Sequence, residues 1–390
     1  MPAADGYGWA QLEFGDSVGD DQEYTILRKL GWGMHASTWL ARDRIGNGFV
    51  AIKALTGHIT QMNEKGLCCE AQFRILSGRS KDPALWPQRH CVRLLDEFVL
   101  PGRGSAGSHV CFVMPVYGGD VKALVASRKT HLELPTAKRI GLHLLRGITF
   151  AHDHRLVHTD LKHDNIFFTT ELQTADIERW LEADPSRRHE PESSYDGTVR
   201  AALSQPLPMI TDELARRATY VLSDFGCGVL SDLHDDRTIT TPPLRAPESF
   251  LGGKWDTPAD IWSFGCLAFE LVVNNSLFKY RTNEKWKLTE DENILYQMLL
   301  VTSDEGFEPE QLTAWPRSGE FFSEDCNLQK KPTVFQWPLD HIISTGNPAI
   351  SPADVTALAN LMYRCLRLNP ANRPTAKELL EDPWFEGADD

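Results

Sequence analysis

The sequence has no C-x-x-C pair among its eight cysteines, although that spacing is the usual sign of a zinc or redox site. The cysteines stand mostly beside apolar residues, so we expect buried free thiols in a reducing compartment. There is no basic and apolar leader at the start, and no apolar run near the ~20 residues that a membrane span needs. These absences predict a protein of the cytoplasm, the nucleus or both, with no membrane partner.

Positive charge is scarce, with 40 Lys and Arg against 54 Asp and Glu and a formal net charge of −14. This excludes the basic footprint of a nucleic-acid binder, so no direct contact with nucleic acid is expected. The same field attracts a basic partner. Hydrophobic residues at 42% and charged residues at 24% are ordinary globular values. At about 150 residues per domain, 390 residues suggest two or three domains.

The first third of the chain has the pattern of a small, mostly antiparallel sheet. Residues 1–23 are acidic without Lys or Arg, and predict a flexible or loosely docked lead-in. Runs rich in β-branched and aromatic residues then predict strands at 24–30, 37–42, 49–54, 91–100 and 109–116. Gly46-Asn47-Gly48 is a hairpin turn signal. One helix is predicted around 63–76.

After Gly118-Gly119 the pattern becomes helical, with Thr136 as an expected N-cap. Residues 259–273 are apolar nearly all round, which is typical of a buried helix. Further helices are predicted at 354–368 and after Thr375. The predicted organisation is an acidic lead-in at 1–23, a small lobe at 24–116, a large lobe at 117–385 with a spacer insert at 171–218 and an insertion at 276–350, and a tail at 386–390.

Two short motifs of the first third carry candidate chemistry. Gly31 and Gly33 stand before strand-like residues, which excludes a Rossmann loop but leaves a plain tight turn open. Glycine in such a hairpin lets backbone N–H groups approach phosphate oxygens. Lys53 lies in an apolar strand, where burial is unfavourable without a partner. Glu70 is the candidate partner, and a solvated helix charge is the alternative.

The densest polar cluster is Asp160, Lys162, Asp164 and Asn165, within six residues and with apolar stretches on both sides. Such groups act on phosphate or metal, and a charged surface turn explains the apolar flanks poorly. Further on, a short strand ends in Asp224-Phe225-Gly226. Arg245-Ala246-Pro247-Glu248 and the stretch 369–374 follow.

In order and spacing, these motifs resemble those of the eukaryotic protein kinase superfamily over about residues 24–385. The resemblance implies an α+β fold of two lobes. A small antiparallel sheet with one helix forms one lobe, the other is mainly helical, and ATP lies in the cleft between them. It also implies Mg²⁺ as cofactor and transfer of the γ-phosphoryl group to a protein. Lys162, two residues after Asp160, resembles the pattern of Ser/Thr kinases.

The resemblance also implies roles for single residues. Asp160 corresponds to the catalytic base, with Lys162 beside it, and Asn165 and Asp224 correspond to the magnesium ligands. Three residues correspond to structural support: Asp260 holds the catalytic loop, while Glu248 and Arg373 form a buried ion pair. The residues implied for ATP are Leu30, Gly31, Gly33, Ala36, Thr38, Ala51, Lys53, Glu70, Met114 and Val116.

A narrower resemblance is to the SR-protein kinases, which phosphorylate serine in Arg/Ser-rich proteins. It rests on Leu30-Gly31-Trp32-Gly33, on His158-Thr159-Asp160, and on the long spacer by which Asp224 follows Asn165 after 59 positions. It implies a basic or Arg/Ser-rich protein substrate, and a monomer is expected. Because Thr159 has no charge where most kinases have arginine, we hypothesise that activity does not need activation-loop phosphorylation.

Several residues depart from the family pattern. Ala36 replaces the third glycine, Pro115 stands where the hinge commonly has an acid, and His163 replaces a proline. A kinase with another substrate and a catalytically dead scaffold therefore stay open. A small-molecule kinase would usually lack Ala246-Pro247-Glu248. The acidic stretch 284–310 has two interpretations, a solvated face or a docking groove for an Arg-rich peptide.

Overall fold

The computed structural model describes residues 8–65, 90–102, 106–194, 197–231, 238–302 and 305–389. The chain divides into two compact units. A sheet unit comprises Met1–Trp86, Val92–Gly119 and Phe167–Ile210, and a helical unit comprises Pro87–Cys91, Asp120–Ile166 and Thr211–Asp390. Among the described residues, no helix is both long and apolar enough to cross a membrane.

The strands are β1 (Ser17–Val18), β2 (Tyr24–Trp32), β3 (Ala36–Asp43), β4 (Gly48–Leu55), β5 (Asp96–Pro101), β6 (Ser108–Pro115), β7 (Tyr117–Asp120), β8 (Leu156–Val157), β9 (Ile166–Thr169), β10 (Glu192–Ser194), β11 (Gly197–Val199), β12 (Tyr220–Leu222) and β13 (Val229–Leu230). The helices are α1 (Gly57–Glu64), α2 (Val121–Ala126), α3 (Leu134–Asp153), α4 (Thr174–Ala183), α5 (Asp212–Arg217), α6 (Pro247–Phe250), α7 (Pro258–Val273), α8 (Glu290–Val301), α9 (Pro309–Ala314), α10 (Ser318–Phe321), α11 (Leu339–Gly346), α12 (Pro352–Cys365) and α13 (Ala376–Leu379).

The sheet unit is built on a six-stranded antiparallel sheet in the order β1-β2-β3-β4-β6-β5. The strands predicted at 24–30, 37–42, 49–54 and 109–116 are confirmed, with ends shifted by one or two residues. The predicted turn between β3 and β4 is also confirmed. Its bend is held by the Asp43 carboxylate, which accepts hydrogen bonds from the amides of Ile45 (2.9 Å) and Gly46 (2.8 Å).

One prediction in this part of the chain differs from the structure, and another falls largely outside the described residues. The strand predicted at 91–100 begins only at Asp96, because Cys91 instead forms a single parallel bridge with Leu222 in the helical unit. The structure also contains α1, which precedes the helix predicted at 63–76 and which the sequence pattern did not predict. The Thr56 side chain caps α1 by accepting from the Ile59 amide. From residue 66 the predicted helix, including Glu70, lies outside the described residues.

The faces of the sheet differ because side chains alternate along each strand. One face, here the Trp39 face, carries a buried cluster that includes Ile26, Trp39 and Ile52. The lead-in residues Ala10 and Leu12 and residue Ala202 belong to the same cluster. The opposite face, here the Lys53 face, has its own smaller cluster of Ala36, Leu55, Val110 and Phe112. The lead-in is therefore docked on the sheet from residue 8 onward.

The segment 171–210 belongs with the sheet unit, whereas the sequence-based boundary counted it with the large lobe. Side chains of α4 explain this placement. Glu178 forms an ion pair with Arg42 of β3 at 2.7 Å, and the Trp180 ring lies 4.0 Å from the guanidinium of Arg28 on β2. The pairing of polar residues with the sheet could not be read from the polar composition of the segment.

The helical unit surrounds α7, whose residues are buried almost throughout. This confirms the buried helix predicted at 259–273, and α12 confirms the helix predicted at 354–368 with earlier ends. Thr375 caps α13 as predicted, in a reciprocal pair with Glu378. The N-cap prediction for Thr136 was wrong. Pro135 occupies the first turn of α3, so Glu133 is the cap residue and Thr136 lies buried inside the helix.

The described cysteines are all free. Four of them are buried, as the apolar neighbours predicted: Cys91, Cys111, Cys266 and Cys365. Cys227 is exposed and Cys326 is partly exposed.

Candidate active site

The two glycines of the first motif lie at the hairpin between β2 and β3. Gly31 pairs with Thr38, and the Gly33 amide donates to the Ala36 carbonyl at 2.9 Å. Neither glycine has a positive φ, and a Cβ added at either would contact nothing within 4 Å. The turn itself therefore does not require glycine here. What glycine provides is open space beside the backbone, which suits the close approach of a phosphate.

The lysine of the second motif lies in the middle of the sheet. The register pairs Lys53 with Thr38 on one side and with Phe112 on the other, and it pairs Ala51 with Met114. Strand alternation places Ala51 and Lys53 together on the Lys53 face. Of the residues implied for ATP, the sheet unit contains Leu30, Gly31, Gly33, Ala36, Thr38, Ala51, Lys53, Met114 and Val116. The pairing of Lys53 with Glu70 stays a prediction.

The loop before Asp160 is anchored to α7 by one carboxylate. Buried Asp260 accepts hydrogen bonds from the amides of His158 (2.8 Å) and Thr159 (3.0 Å), and its Oδ2 lies 2.9 Å from His152 Nε2. Burial alone would raise the pKa of Asp260, but the hydrogen bond from His152 and the imidazoles of His152 and His158 hold it below its ordinary value. The ionised carboxylate thus holds Thr159 at a φ of 65°.

Asp160 is itself held by two side chains of the same loop. Lys162 Nζ donates to Asp160 Oδ2 at 2.6 Å, and Asn165 Nδ2 donates to the Asp160 carbonyl (2.8 Å) and to Oδ2 (3.2 Å). Burial alone would lower the pKa of Lys162, but the hydrogen bond to Asp160 and the nearby carboxylates raise it above its ordinary value. A cation therefore stands beside the carboxylate of Asp160, and both side-chain donors contact Oδ2 rather than Oδ1.

Asp224 lies at a sharp turn beside the same loop. Its φ of 60° is left-handed, and the following Phe225 packs edge-on against His158 at 4.9 Å. The Ser223 amide and hydroxyl donate to the Asn165 carbonyl at 2.8 and 3.0 Å. These contacts place the backbones of Asn165 and Ser223 side by side, one residue before Asp224.

The side-chain oxygen atoms of Asn165 and Asp224 are suitable ligands for a magnesium ion. The amide nitrogen of Asn165 is engaged with Asp160, which orients the side chain and leaves its Oδ1 as the acceptor atom. Asp224 contributes a carboxylate. Mg²⁺ prefers hard oxygen ligands, and it commonly uses one or two carboxylates with the remaining positions filled by water and phosphate.

Residues 227–244, which the family resemblance implies form the activation segment, contact Thr159 near both of their ends. The Thr159 hydroxyl donates to the Cys227 carbonyl at 2.8 Å, and the Thr240 hydroxyl donates to the Thr159 carbonyl at 2.7 Å. Arg245 then donates to the carbonyls of Thr240 (2.8 Å) and Ile239 (2.9 Å). Residues 232–237 of the segment lie outside the described residues.

Glu248 and Arg373 form a fully buried ion pair with two parallel hydrogen bonds of 2.7 and 2.8 Å. Arg373 also donates to the carbonyls of Arg367 (2.8 Å) and Pro258 (2.9 Å). The Arg373 guanidinium therefore donates hydrogen bonds to acceptors in separate parts of the helical unit.

The protein kinase domain model matches residues 24–184 and 210–385. The chain belongs to the protein kinase family. Its fold is confirmed as α+β, with an antiparallel sheet unit and a mainly helical unit, and the chain is a protein serine/threonine kinase. Kinases of this family use ATP and a divalent metal in general.

Known relatives support the narrower resemblance. The kinase is similar to the serine/threonine-protein kinase SRPK of Physarum polycephalum, with 27% identity over 93% of this chain and 85% of the relative. It is similar to protein kinase dsk1 of Schizosaccharomyces pombe, with 24% identity over 93% and 80% of the two chains. A crystal structure of a kinase domain matches with a TM-score of 0.65 and 19% identity, over 97% of this chain and 98% of that one, which shows the shared fold.

The acidic stretch 284–310 is only partly available to a ligand. Glu292 pairs with Lys330 at 2.6 Å, Glu305 pairs with Arg367 at 2.9 Å, and Asp291 accepts from the Tyr280 hydroxyl at 3.1 Å. The exposed acids of the stretch lie near the starts of α8 and α9: Glu284, Glu290, Glu308 and Glu310. The kinase thus keeps a smaller negative surface here than the sequence count suggested.

Two further relationships in the kinase have no signal in the sequence pattern. His163 Nδ1 lies 3.5 Å from the Glu270 carboxylate of α7, a pairing that no local spacing signals. Arg28 reads as an ordinary strand residue, yet its side chain is fully buried beneath α4. Only the absence of residues 185–209 from the family match points to that region.

Proposed function

We propose that this kinase transfers the γ-phosphoryl group of Mg-ATP to serine hydroxyls in Arg/Ser-rich proteins. The observation that carries the chemistry is the held pair of Asp160 and Lys162, whose Oδ2 and Nζ are 2.6 Å apart in a loop anchored by Asp260. Phosphoryl transfer needs little covalent work from the protein. It needs an acceptor hydroxyl that is oriented in line and positive charge near the transferred phosphoryl group. Asp160 can orient the hydroxyl, and Lys162 supplies the charge.

In this proposal Asp160 accepts the proton of the serine hydroxyl, and Lys162 stabilises the charge of the transferred group. Asn165 keeps Asp160 in place through one hydrogen bond to its backbone carbonyl and one to its carboxylate. Asn165 and Asp224 would hold Mg²⁺. When bound, the ion neutralises charge on the phosphate oxygens.

The sheet unit provides the nucleotide-binding part of the proposal. The open backbone at Gly31 and Gly33 accommodates phosphate oxygens, and the Lys53 cation pairs with the α- and β-phosphates. The small side chain of Ala51, buried on the Lys53 face, leaves room for a flat base. Glu248 and Arg373 act from a distance, by fixing the helical unit beneath the activation segment.

Three features support an Arg/Ser-rich substrate. The net charge of −14 attracts a basic peptide and speeds its encounter. Glu284 and Glu290 are exposed acids near the start of α8. Finally, the relative with 27% identity is named as an SRPK kinase, and His158-Thr159-Asp160 resembles the catalytic loop of the SR-protein kinases.

The test is phosphate transfer from Mg-ATP to an Arg-Ser repeat peptide, beside a basic peptide of equal charge in which Lys replaces Arg and the serines are not adjacent to it. Asp160→Asn is the inactive comparison. Asp340→Asn, the same change at an exposed position of α11, is the matched control.

We expect rapid transfer to the Arg-Ser peptide, slow transfer to the other peptide, and loss of both with Asp160→Asn. Equal rates on the two peptides would show a kinase with a different substrate class. Binding of Mg-ATP without transfer to any peptide would show a catalytically dead scaffold.

A further inference from the structure

Residues 184–194 and 197–205, here called the strap, form the two arms of a hairpin on the sheet unit. Its arms are joined by hydrogen bonds from the His189 amide to the Ala201 carbonyl and from the Leu203 amide to the Arg187 carbonyl, both 2.9 Å. Its more distal part is the β10–β11 pair. The kinase family match leaves residues 185–209 unmatched, so the strap is almost entirely an addition to the common domain.

The strap contacts β2 just before the glycine hairpin. The Ser186 hydroxyl donates to the Leu27 carbonyl at 2.7 Å, and the Gln205 amide donates to the Lys29 carbonyl at 2.9 Å. Strand β1 pairs with Tyr24 and Thr25 of β2, and the lead-in just before it reaches Ile26, whose carbonyl accepts from the Gly15 amide at 2.7 Å. Beyond Ile26, the strap provides a side-chain donor and a backbone donor for the carbonyls of Leu27 and Lys29.

Ser186 and Gln205 are held within the strap as well. The Gln205 side chain accepts from the Arg187 amide at 2.9 Å and donates to the Asp184 carboxylate at 2.9 Å. The two contact points on β2 are therefore linked across the base of the hairpin. Ala202, between them, packs into the cluster on the Trp39 face.

Arg28 lies at the centre of this contact and its side chain is fully buried. Its Nε donates to Ser186 Oγ at 3.2 Å, its guanidinium lies over the Trp180 ring at 4.0 Å, and Asp184 Oδ2 is 3.6 Å away. Within the described part of the chain, neither terminal nitrogen has a hydrogen-bond acceptor. Burial accordingly lowers the pKa of Arg28.

Such a buried cation adds little to stability, because its desolvation offsets most of what its contacts gain. The buried Arg28 cation can instead favour one arrangement over others, because any shift of β2 relative to α4 would leave its charge less well paired. The Arg28 contact thus fixes the strand that leads directly into Gly31 and Gly33.

We propose that the strap, with Arg28, is a positioning element for the nucleotide-binding hairpin. By holding β2 through Leu27 and Lys29, it orders the backbone at Gly31 and Gly33 before ATP arrives. A loop that is already ordered loses less conformational entropy on binding, so its ligand binds more tightly. This inference rests on the proposed ATP-dependent activity, but its test measures nucleotide binding directly.

The experiment compares Ser186→Ala, which removes both hydrogen bonds of the hydroxyl, with Ser186→Thr, which keeps a hydroxyl. Arg179→Ala is the matched control, because this exposed arginine of α4 contacts Asp176 and the Ala175 carbonyl and does not touch β2. For each protein, the Kd for Mg-ATP is measured by calorimetry, together with Tm and with KM for ATP and for a peptide.

For Ser186→Ala we expect the Kd and KM for Mg-ATP to rise about three- to tenfold, the range that the loss of one or two hydrogen bonds gives. A loss of folded, active protein would lower the rate but leave KM unchanged. KM for the peptide should therefore stay within about twofold of the wild-type value. Ser186→Thr should largely restore the Kd, and Arg179→Ala should match the wild type.

An unchanged Kd in Ser186→Ala would overturn the positioning role, even if Tm fell, because the strap would then act on folding alone. A parallel rise in KM for ATP and for the peptide would overturn it as well. If the wild-type kinase binds Mg-ATP but phosphorylates no Arg-Ser peptide, the substrate proposal fails, while the comparison of Kd values still decides the role of the strap.

Discussion

The hydroxyl of Thr240 donates a 2.7 Å hydrogen bond to the backbone carbonyl of Thr159, the residue immediately before the proposed catalytic base. Thr159 in turn donates from its hydroxyl to the Cys227 carbonyl at 2.8 Å. One uncharged residue therefore joins the beginning and the end of the activation segment to the catalytic loop. In kinases with His-Arg-Asp, an arginine at this place docks a phosphorylated activation loop through charge-assisted hydrogen bonds.

The first prediction is that activity does not depend on phosphorylation of the activation segment. Neutral hydrogen bonds already hold both of its ends, and Thr159 offers no charge that a phosphate would need. Treatment with a phosphatase, and the double variant Thr238→Ala/Thr241→Ala at two exposed positions, should leave kcat within about twofold of the untreated kinase. Mass spectrometry that found stoichiometric phosphate at either threonine, with activity lost on its removal, would contradict this.

The second prediction concerns the hydroxyl of Thr159. Thr159→Val keeps the shape of the side chain but removes the donor to Cys227, so the Cys227 carbonyl loses the hydrogen bond from this hydroxyl. We expect kcat to fall about five- to fiftyfold and unfolding free energy to fall by about 1 kcal/mol, the usual net value of one hydrogen bond. Thr238→Val, the same change at an exposed position, should alter neither quantity. Steady-state kinetics and urea denaturation measure the two effects, and a kcat equal to wild type would refute the role.

The third prediction follows from the lowered pKa of Asp260. A carboxyl whose pKa is lower in the folded state than in the unfolded state stabilises the fold at pH values above its ordinary, unfolded pKa of about 3.9. That contribution is lost as the pH falls from there through the lower pKa of the folded state. Asp260→Asn removes the charge, so its unfolding free energy should be lower at neutral pH and the difference from wild type should shrink in acid. Urea titrations between about pH 6 and pH 3 follow this, and a difference that grows in acid would have the wrong sign.

The sequence predicted those parts of the fold that depend on local pattern. Strand alternation placed β3, β4 and β6, and the apolar run of α7 predicted a buried helix. The kinase motifs, read in order, indicated the family and the residues around Asp160. Each of these signals lies within a short stretch of chain, where the residue types themselves determine the structure.

What the sequence could not supply were contacts between distant residues and unusual backbone angles. Ser186 and Leu27 are 159 positions apart, so the polar composition of the insert suggested solvent rather than a partner on the sheet. Thr240 has a φ of 64°, which threonine rarely adopts, so nothing in its neighbours predicted that its hydroxyl points to Thr159. The docking of Ala10 and Leu12 on the sheet depends likewise on a distant residue, because Ala202 belongs to the same buried cluster.

The fourth prediction concerns Glu248 and Arg373, which are both fully buried and joined by two hydrogen bonds. Arg373→Met would leave the Glu248 carboxylate buried without its counter-charge, and this should cost about 3–5 kcal/mol of unfolding free energy. Glu248→Leu alone should cost a similar amount, because it leaves the cation unpaired. The double variant removes both charges, so it should be less destabilised than the sum of the two single variants by at least about 1 kcal/mol. Urea denaturation of the four proteins completes the cycle. Additive losses would show that the two side chains contribute through packing rather than through their pairing, and would leave the ion pair without the supporting role that the family resemblance implies.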